Sequence, residues 1–115
     1  MARGDAVQRA VANVAAASTD SVLVAAVAGT NQVGKAIRVH AVIASSGAVA
    51  TAITFNSKGS GAGTAISPTF QNGINGGEVL AHCASGWFET NPGEALTVTT
   101  GAGSTTGILV LYSLV

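Results

Sequence analysis

The stretch Lys35-Ala36-Ile37-Arg38-Val39-His40-Ala41-Val42-Ile43-Ala44-Ser45 carries the pattern that sets the fold class. Ile37, Val39, Ala41 and Ile43 recur at every second position, and Arg38, His40 and Val42 fill the positions between. Successive side chains of an extended chain point to opposite sides, so a period of two marks a strand with one face on a core. Ser45-Ser46-Gly47 interrupts the run. Val49 to Ser57 resumes it, with Val49, Thr51, Ile53 and Phe55 on one face.

The same pattern extends in both directions. Upstream, Asp20 to Ala28 reads as a strand, with Val22 and Val24 opposed to Leu23 and Val27, and Gly29 to Gly34 reads as a turn. Downstream, Lys58 to Thr64 holds three glycines and reads as a loop. Ala65-Ile66 and Thr69-Phe70-Gln71 flank Pro68, which lacks a backbone donor and so suits an edge strand or bend. Asn72-Gly73 and Gly76-Gly77 read as turns, the first a dipeptide that tolerates positive φ. Glu78 to Cys83 is a short strand, and Asn91-Pro92-Gly93 is a tight turn with Pro second and Gly third. Glu94 to Thr100 is a strand, Gly101 to Ser104 a loop, and Thr106 to Leu114 the last strand. In that last strand Ile108, Val110, Tyr112 and Leu114 oppose Leu109, Leu111 and Val115, a two-faced pattern expected of a central strand or an interface. Short strands separated by regular turns predict a sandwich or barrel. Residues 1–19 precede this array. Val7, Val11 and Val14 there fit a helical spacing, but an extended arm or first strand fits the alternation and the weak capping better.

Composition narrows the function. The chain has 115 residues, the length of one domain, with 48% hydrophobic but only 9% charged residues. An ordinary soluble domain carries about 25% charged residues. Five basic and five acidic side chains cover little of a free monomer's surface, so much of that surface is expected to be hidden in an assembly. Zero formal net charge argues against general nucleic-acid binding, which relies on neutralising phosphates. No apolar run approaches the ~20 residues of a membrane-spanning helix. The first residues lack signal-peptide character, so synthesis in a reducing cytoplasm is expected.

Chemistry-bearing groups are sparse. The carboxylates Asp5, Asp20, Glu78, Glu89 and Glu94 show no spacing that gathers a pair in one cleft, and read as solvated turn residues. His82-Cys83, with His40 as a possible third member, evokes a Cys-His nucleophile or a metal site. Adjacent strand residues face opposite ways, and no paired-ligand spacing is present; a buried Cys83 and surface histidines are the simpler expectation. The glycine runs at Gly59 to Gly63 and Gly101 to Gly103 lack the following Gly-Lys-Ser/Thr and helix of a phosphate loop. Trp87-Phe88 reads as a core plug or interface anchor, with stacking on a sugar ring as the alternative. No catalytic residue, cofactor site or metal site is assigned.

Two blocks carry a resemblance. One is Asp20-Ser21-Val22-Leu23-Val24-Ala25-Ala26-Val27-Ala28-Gly29, followed by Lys35-Ala36-Ile37-Arg38-Val39. The other is Gly86-Trp87-Phe88-Glu89-Thr90-Asn91-Pro92-Gly93-Glu94-Ala95-Leu96, followed by the final strand from Gly107 to Tyr112. Together, over roughly Asp20 to Val115, they resemble the small virion proteins of tailed bacteriophages of the capsid decoration, or cement, type. The resemblance implies a jelly-roll-like antiparallel β-sandwich over residues 20–115 with an N-terminal arm over 1–19. It implies a homotrimer on the outer capsid surface, made in the host cytoplasm, that clamps neighbouring major capsid proteins without cofactor, catalysis, nucleic acid or membrane. Candidate interface residues are Trp87, Phe88, Leu109 and Leu111, with Arg3, Val7, Arg9 and Val11 of the arm. A carbohydrate- or receptor-binding module of a phage head or tail fibre is the alternative on the same fold.

Overall fold

The computed structural model describes residues 6–27 and 34–115. Its strands are β1 (Gln8–Val14), β2 (Ser21–Val24), β3 (Ile37–Ser46), β4 (Thr51–Lys58), β5 (Thr64–Ala65), β6 (Phe70–Asn72), β7 (Gly77–Leu80), β8 (Phe88–Glu89), β9 (Ala95–Thr100) and β10 (Thr106–Leu114). They form two sheets in which every strand pairing is antiparallel. The first runs β1-β10-β3, with β7 and β8 each pairing a different part of β3. The second runs β2-β9-β4, with β5 and β6 sharing β4 in the same way. Each such pair is one edge strand broken in two; for β5 and β6 the break holds Pro68, as a missing backbone donor requires. Counted so, the chain alternates between sheets in the double Greek-key order of a jelly roll. The arm contributes β1, which pairs with β10 of its own chain from Gln8↔Tyr112 to Val14↔Thr106, so the helical alternative is not adopted.

The core lies between the sheets. Ile37, Val39, Val42, Ala44, Ile108 and Val110 from the first meet Ile53, Phe55, Leu96 and Val98 from the second. Phe55 is its centre, fully buried between Phe70 at 6.2 Å and Phe88 at 5.2 Å. The β10–β3 ladder skips His40, passing from Leu111↔Ala41 to Tyr112↔Val39. This bulge corrects the expected single face of Ile37, Val39, Ala41 and Ile43. Ile37 and Val39 point inward before it, Val42 and Ala44 after it, and Ile43 is left 52% exposed. A bulge adds one residue to one strand and so inverts the alternation beyond it.

Turns follow their chemistry in part, Ala17 taking φ 56° without a glycine's freedom. Gly93 takes φ 80° in the Asn91-Pro92-Gly93 turn, closed by Glu94 N donating to Asn91 O at 3.1 Å. In the β6–β7 turn the positive φ of 53° falls at Asn75 and not at Asn72-Gly73. Asn72 is instead the buried last residue of β6. The turn expected from Gly29 to Gly34 lies outside the described residues except for Gly34. Val27 bridges to Lys35 on either side of it. At Gly77 the backbone of β7 comes so close to β3 that a Cβ would collide with the Ala44 carbonyl oxygen. Phe55→Ala is expected to lower unfolding free energy by about 3–5 kcal/mol, read from the midpoint of a urea titration.

Candidate functional site

The outer faces of the two sheets differ in kind. On the second sheet, Thr97, Thr99 and Asn56 face outward but are covered by the protein's own loops. Asp20, held at φ 50°, accepts from Thr97 Oγ1 at 3.0 Å and Asn56 Nδ2 at 3.2 Å through Oδ1, and from Gly63 N at 2.9 Å through Oδ2. One carboxylate thus ties β4, β9 and the glycine-rich loop together, and Lys58 Nζ donates to the Gly61 carbonyl at 2.9 Å within that loop. Asp20 is therefore a network centre and not the solvated turn residue expected from sequence.

Among the described residues, no such cover lies over the first sheet. The register aligns Val11 with Leu109, Leu109 with Ile43, and Ile43 with Val79. That single cross-strand row spans β1, β10, β3 and β7. At a strand spacing of about 4.8 Å it is roughly 14 Å long. Val11 is 67%, Ile43 52% and Val79 71% exposed, with Leu109 half-buried among them. The next row aligns Arg9, Leu111 and Ala41. On the other side, Asn13, Gly107, Ser45 and Gly77 are small or polar, and Gly107 helps open a shallow hollow of about 220 Å³ beside the apolar row. The face is flat, apolar at its centre and polar at its rim, the composition of a protein-docking patch.

Of the candidate interface residues, Leu109, Leu111, Arg9 and Val11 fall together on this face, and Val7, half exposed, lies at its far end. Arg3 lies outside the described residues. Trp87 and Phe88 part company. Phe88 pairs with Val39 in β8 and turns inward onto Phe55, a core plug. Trp87 is 49% exposed, its ring fixed by Nε1–H donating to Ala81 O at 2.8 Å. Ile43 and Val79, the β3 and β7 members of the row, are not among the residues that the sequence singles out as interface candidates. Ile43 reads as inward from sequence because no local signal announces a bulge.

At the far end, a second hollow of about 210 Å³ is lined by Val7, Arg38, His40, His82, Ala84, Ser113 and Val115. The structure brings His40 and His82 together as stacked rings 5.5 Å apart; His82 is exposed, as expected, while His40 and Cys83 depart from the expected burial. His40 is buried, while Cys83 is only half-buried. Cys83 O accepts only, so His40 Nδ1 donates to it at 2.8 Å, which leaves Nε2 to accept from Ser113 Oγ–H at 2.7 Å. That is the hydrogen-bond order of a nucleophile, a base and an orienting group. Here it joins β3, β10 and the loop after β7, with Ser113 only 2% exposed. Arg38 Nε pairs with Glu89 Oε1 at 2.9 Å. Ser57 Oγ donates to Glu94 Oε1 at 2.6 Å. Among the described residues no cluster of three or more His, Cys, Asp or Glu is placed to hold a metal, and no helix is long and apolar enough to cross a membrane.

Fold and face together define a β-sandwich that, among the described residues, carries an exposed apolar row on the outer face of one sheet. Comparison with known proteins found no match: no protein-family model, no curated protein and no solved structure is similar to the chain.

Two outcomes test the His40 region. His40→Ala leaves Ser113 Oγ and Cys83 O without their partner and is expected to cost about 2–3 kcal/mol, measured by chemical denaturation. The Cys83 thiol is held below its usual range, first by the Ser85 side-chain hydrogen bond and then by backbone bonds from Ser85 and Gly86. Iodoacetamide is therefore expected to label the folded protein without denaturant, followed by intact mass; labelling only after unfolding would show the thiol to be closed.

Proposed function

We propose that this protein is a structural capsid decoration protein of a tailed bacteriophage. It acts as a homotrimer on the outer capsid surface and clamps neighbouring major capsid proteins. The observation that carries the reading is the solvent-facing row Val11–Leu109–Ile43–Val79 on a chain with only 9% charged residues. An apolar row across four strands has no function in a free monomer and a clear one in an assembly, where its burial supplies about 25 cal/mol per Å². Closed cyclic symmetry is the usual way for copies of one chain to cover such a face. Repetition over a shell then converts modest contacts into a tight grip. The jelly-roll order agrees with the resemblance in the Asp20–Gly29 and Gly86–Leu96 blocks. The reading needs no cofactor, catalytic group, nucleic acid or membrane, and it places the protein in the virion after synthesis in the host cytoplasm.

A second reading rests on Trp87. Half exposed and held at a fixed angle by Ala81, it could stack on a sugar ring, as a carbohydrate- or receptor-binding module of a head or tail fibre requires.

Size exclusion with light scattering separates them. The decoration reading predicts a mass of three times the 11.2 kDa chain. Leu109→Asp, which would bury an unpaired charge, is expected to weaken association by about 100-fold or more and to return the single-chain mass with an unchanged far-ultraviolet spectrum. A wild-type monomer at micromolar concentration would sink the assembly reading. Saturable quenching of Trp87 fluorescence by a glycan, abolished in Trp87→Ala, would establish the second.

A further inference from the structure

The buried side-chain polar atoms that complete no hydrogen bond among the described residues are Ser46 Oγ, Thr106 Oγ1, Asn72 Oδ1 and Nδ2, and Glu78 Oε1. All belong to one end of the sandwich interior. Ser46 and Thr106 are directly opposite each other where β3 ends and β10 begins. Glu78 of β7 is paired with Ala44, one inward position before Ser46. Asn72 enters from the second sheet, paired with Thr51 at the start of β4. The β6–β7 turn is tied down at the same end, with Ser46 N donating to Gly76 O at 2.7 Å and Asn75 N to Gly47 O at 2.8 Å. Ser46, Asn72 and Thr106 are 6%, 4% and 0% exposed. Buried polar groups are nearly always paired, so several orphans gathered in one place call for a shared partner.

We propose that this end of the sandwich binds a monovalent metal cation through Glu78 Oε1, Asn72 Oδ1, Ser46 Oγ and Thr106 Oγ1, with water completing the shell. Every candidate ligand is a hard oxygen, which selects alkali or alkaline-earth ions over the softer transition metals. A single carboxylate balances a single positive charge. Water alone would pair the hydroxyls and the amide, whereas a cation would also engage Oε1, the buried oxygen of the partly buried Glu78 carboxylate. Asn72 Nδ2 then donates to a water of the ion's shell.

Partial burial pushes the Glu78 carboxyl above its ordinary 4.5, and Asn72 draws it part of the way back.

The test is thermal unfolding of the intact protein at neutral pH in sodium, potassium or tetramethylammonium chloride, at one ionic strength. A midpoint about 5 °C higher in the sodium or potassium salt is expected when the ion is at roughly ten times its Kd. Glu78→Gln keeps the shape, removes the charge and must abolish the difference. Ser46→Ala, which removes one ligand, must diminish it and serves if Glu78→Gln does not fold. Equal midpoints in all three salts would overturn the proposal and assign the cluster to internal water alone. A sodium or potassium gain that survives both substitutions would overturn it by placing the ion elsewhere.

Discussion

The antiparallel pairing of β3 with β10 is the constraint on which the sandwich depends. It joins the middle of the chain to its last strand, from Thr106↔Ser46 to Leu114↔Ile37, and supplies both inner strands of the first sheet. β1, β7 and β8 are all laid against one of these two strands. The ladder's irregularity matters as much as its length. By adding His40 to one side, the bulge keeps Ile37 and Val39 in the core at one end and Val42 and Ala44 in the core at the other. The extra residue is itself secured, because His40 spends both ring nitrogens on Cys83 and Ser113. A bulge at an unbonded residue would be free to slip, and a one-residue slip would turn every side chain beyond it to the wrong face.

The two sheets have opposite outer surfaces because the loops are unevenly shared. The segment before β2 and the loop after β4 fold onto the second sheet, where Asp20 accepts from Asn56 and Thr97 and is itself held by Gly63 N. The first sheet has Val11, Leu109, Ile43 and Val79 in the corresponding place, with none of the described residues folded over them. The interior is likewise divided. The apolar centre around Phe55 gives way at one end to Ser46, Asn72, Glu78 and Thr106, so the sandwich is closed there by polar groups and not by packing.

Much of this was legible in the residues. The strand character of the run from Ile37, the Asn91-Pro92-Gly93 turn, the proline between β5 and β6, and the two-faced pattern of β10 each state a local preference that the structure keeps. Those features are local: a turn needs the right φ at one residue, and a strand needs alternation over a few. Cys83 and His40 show where local reading ends. Cysteine is commonly buried and histidine commonly not, but here the loop after β7 leaves the thiol half-buried and β10 covers the imidazole, a result of which segments meet.

Composition and alternation were therefore enough to establish an all-β chain and its approximate strands, since these follow from side-chain chemistry and short-range backbone geometry. Tertiary structure alone decided which sheet each strand joins, where the bulge inverts the pattern, and that Ile43 and Val79 complete an apolar row. It also decided that Asn72 and Glu78 come to the same end of the interior as Ser46 and Thr106. Those outcomes depend on pairings between residues far apart in the chain, and the register of such pairings is set by the closed packing of the whole core, not by any segment of it.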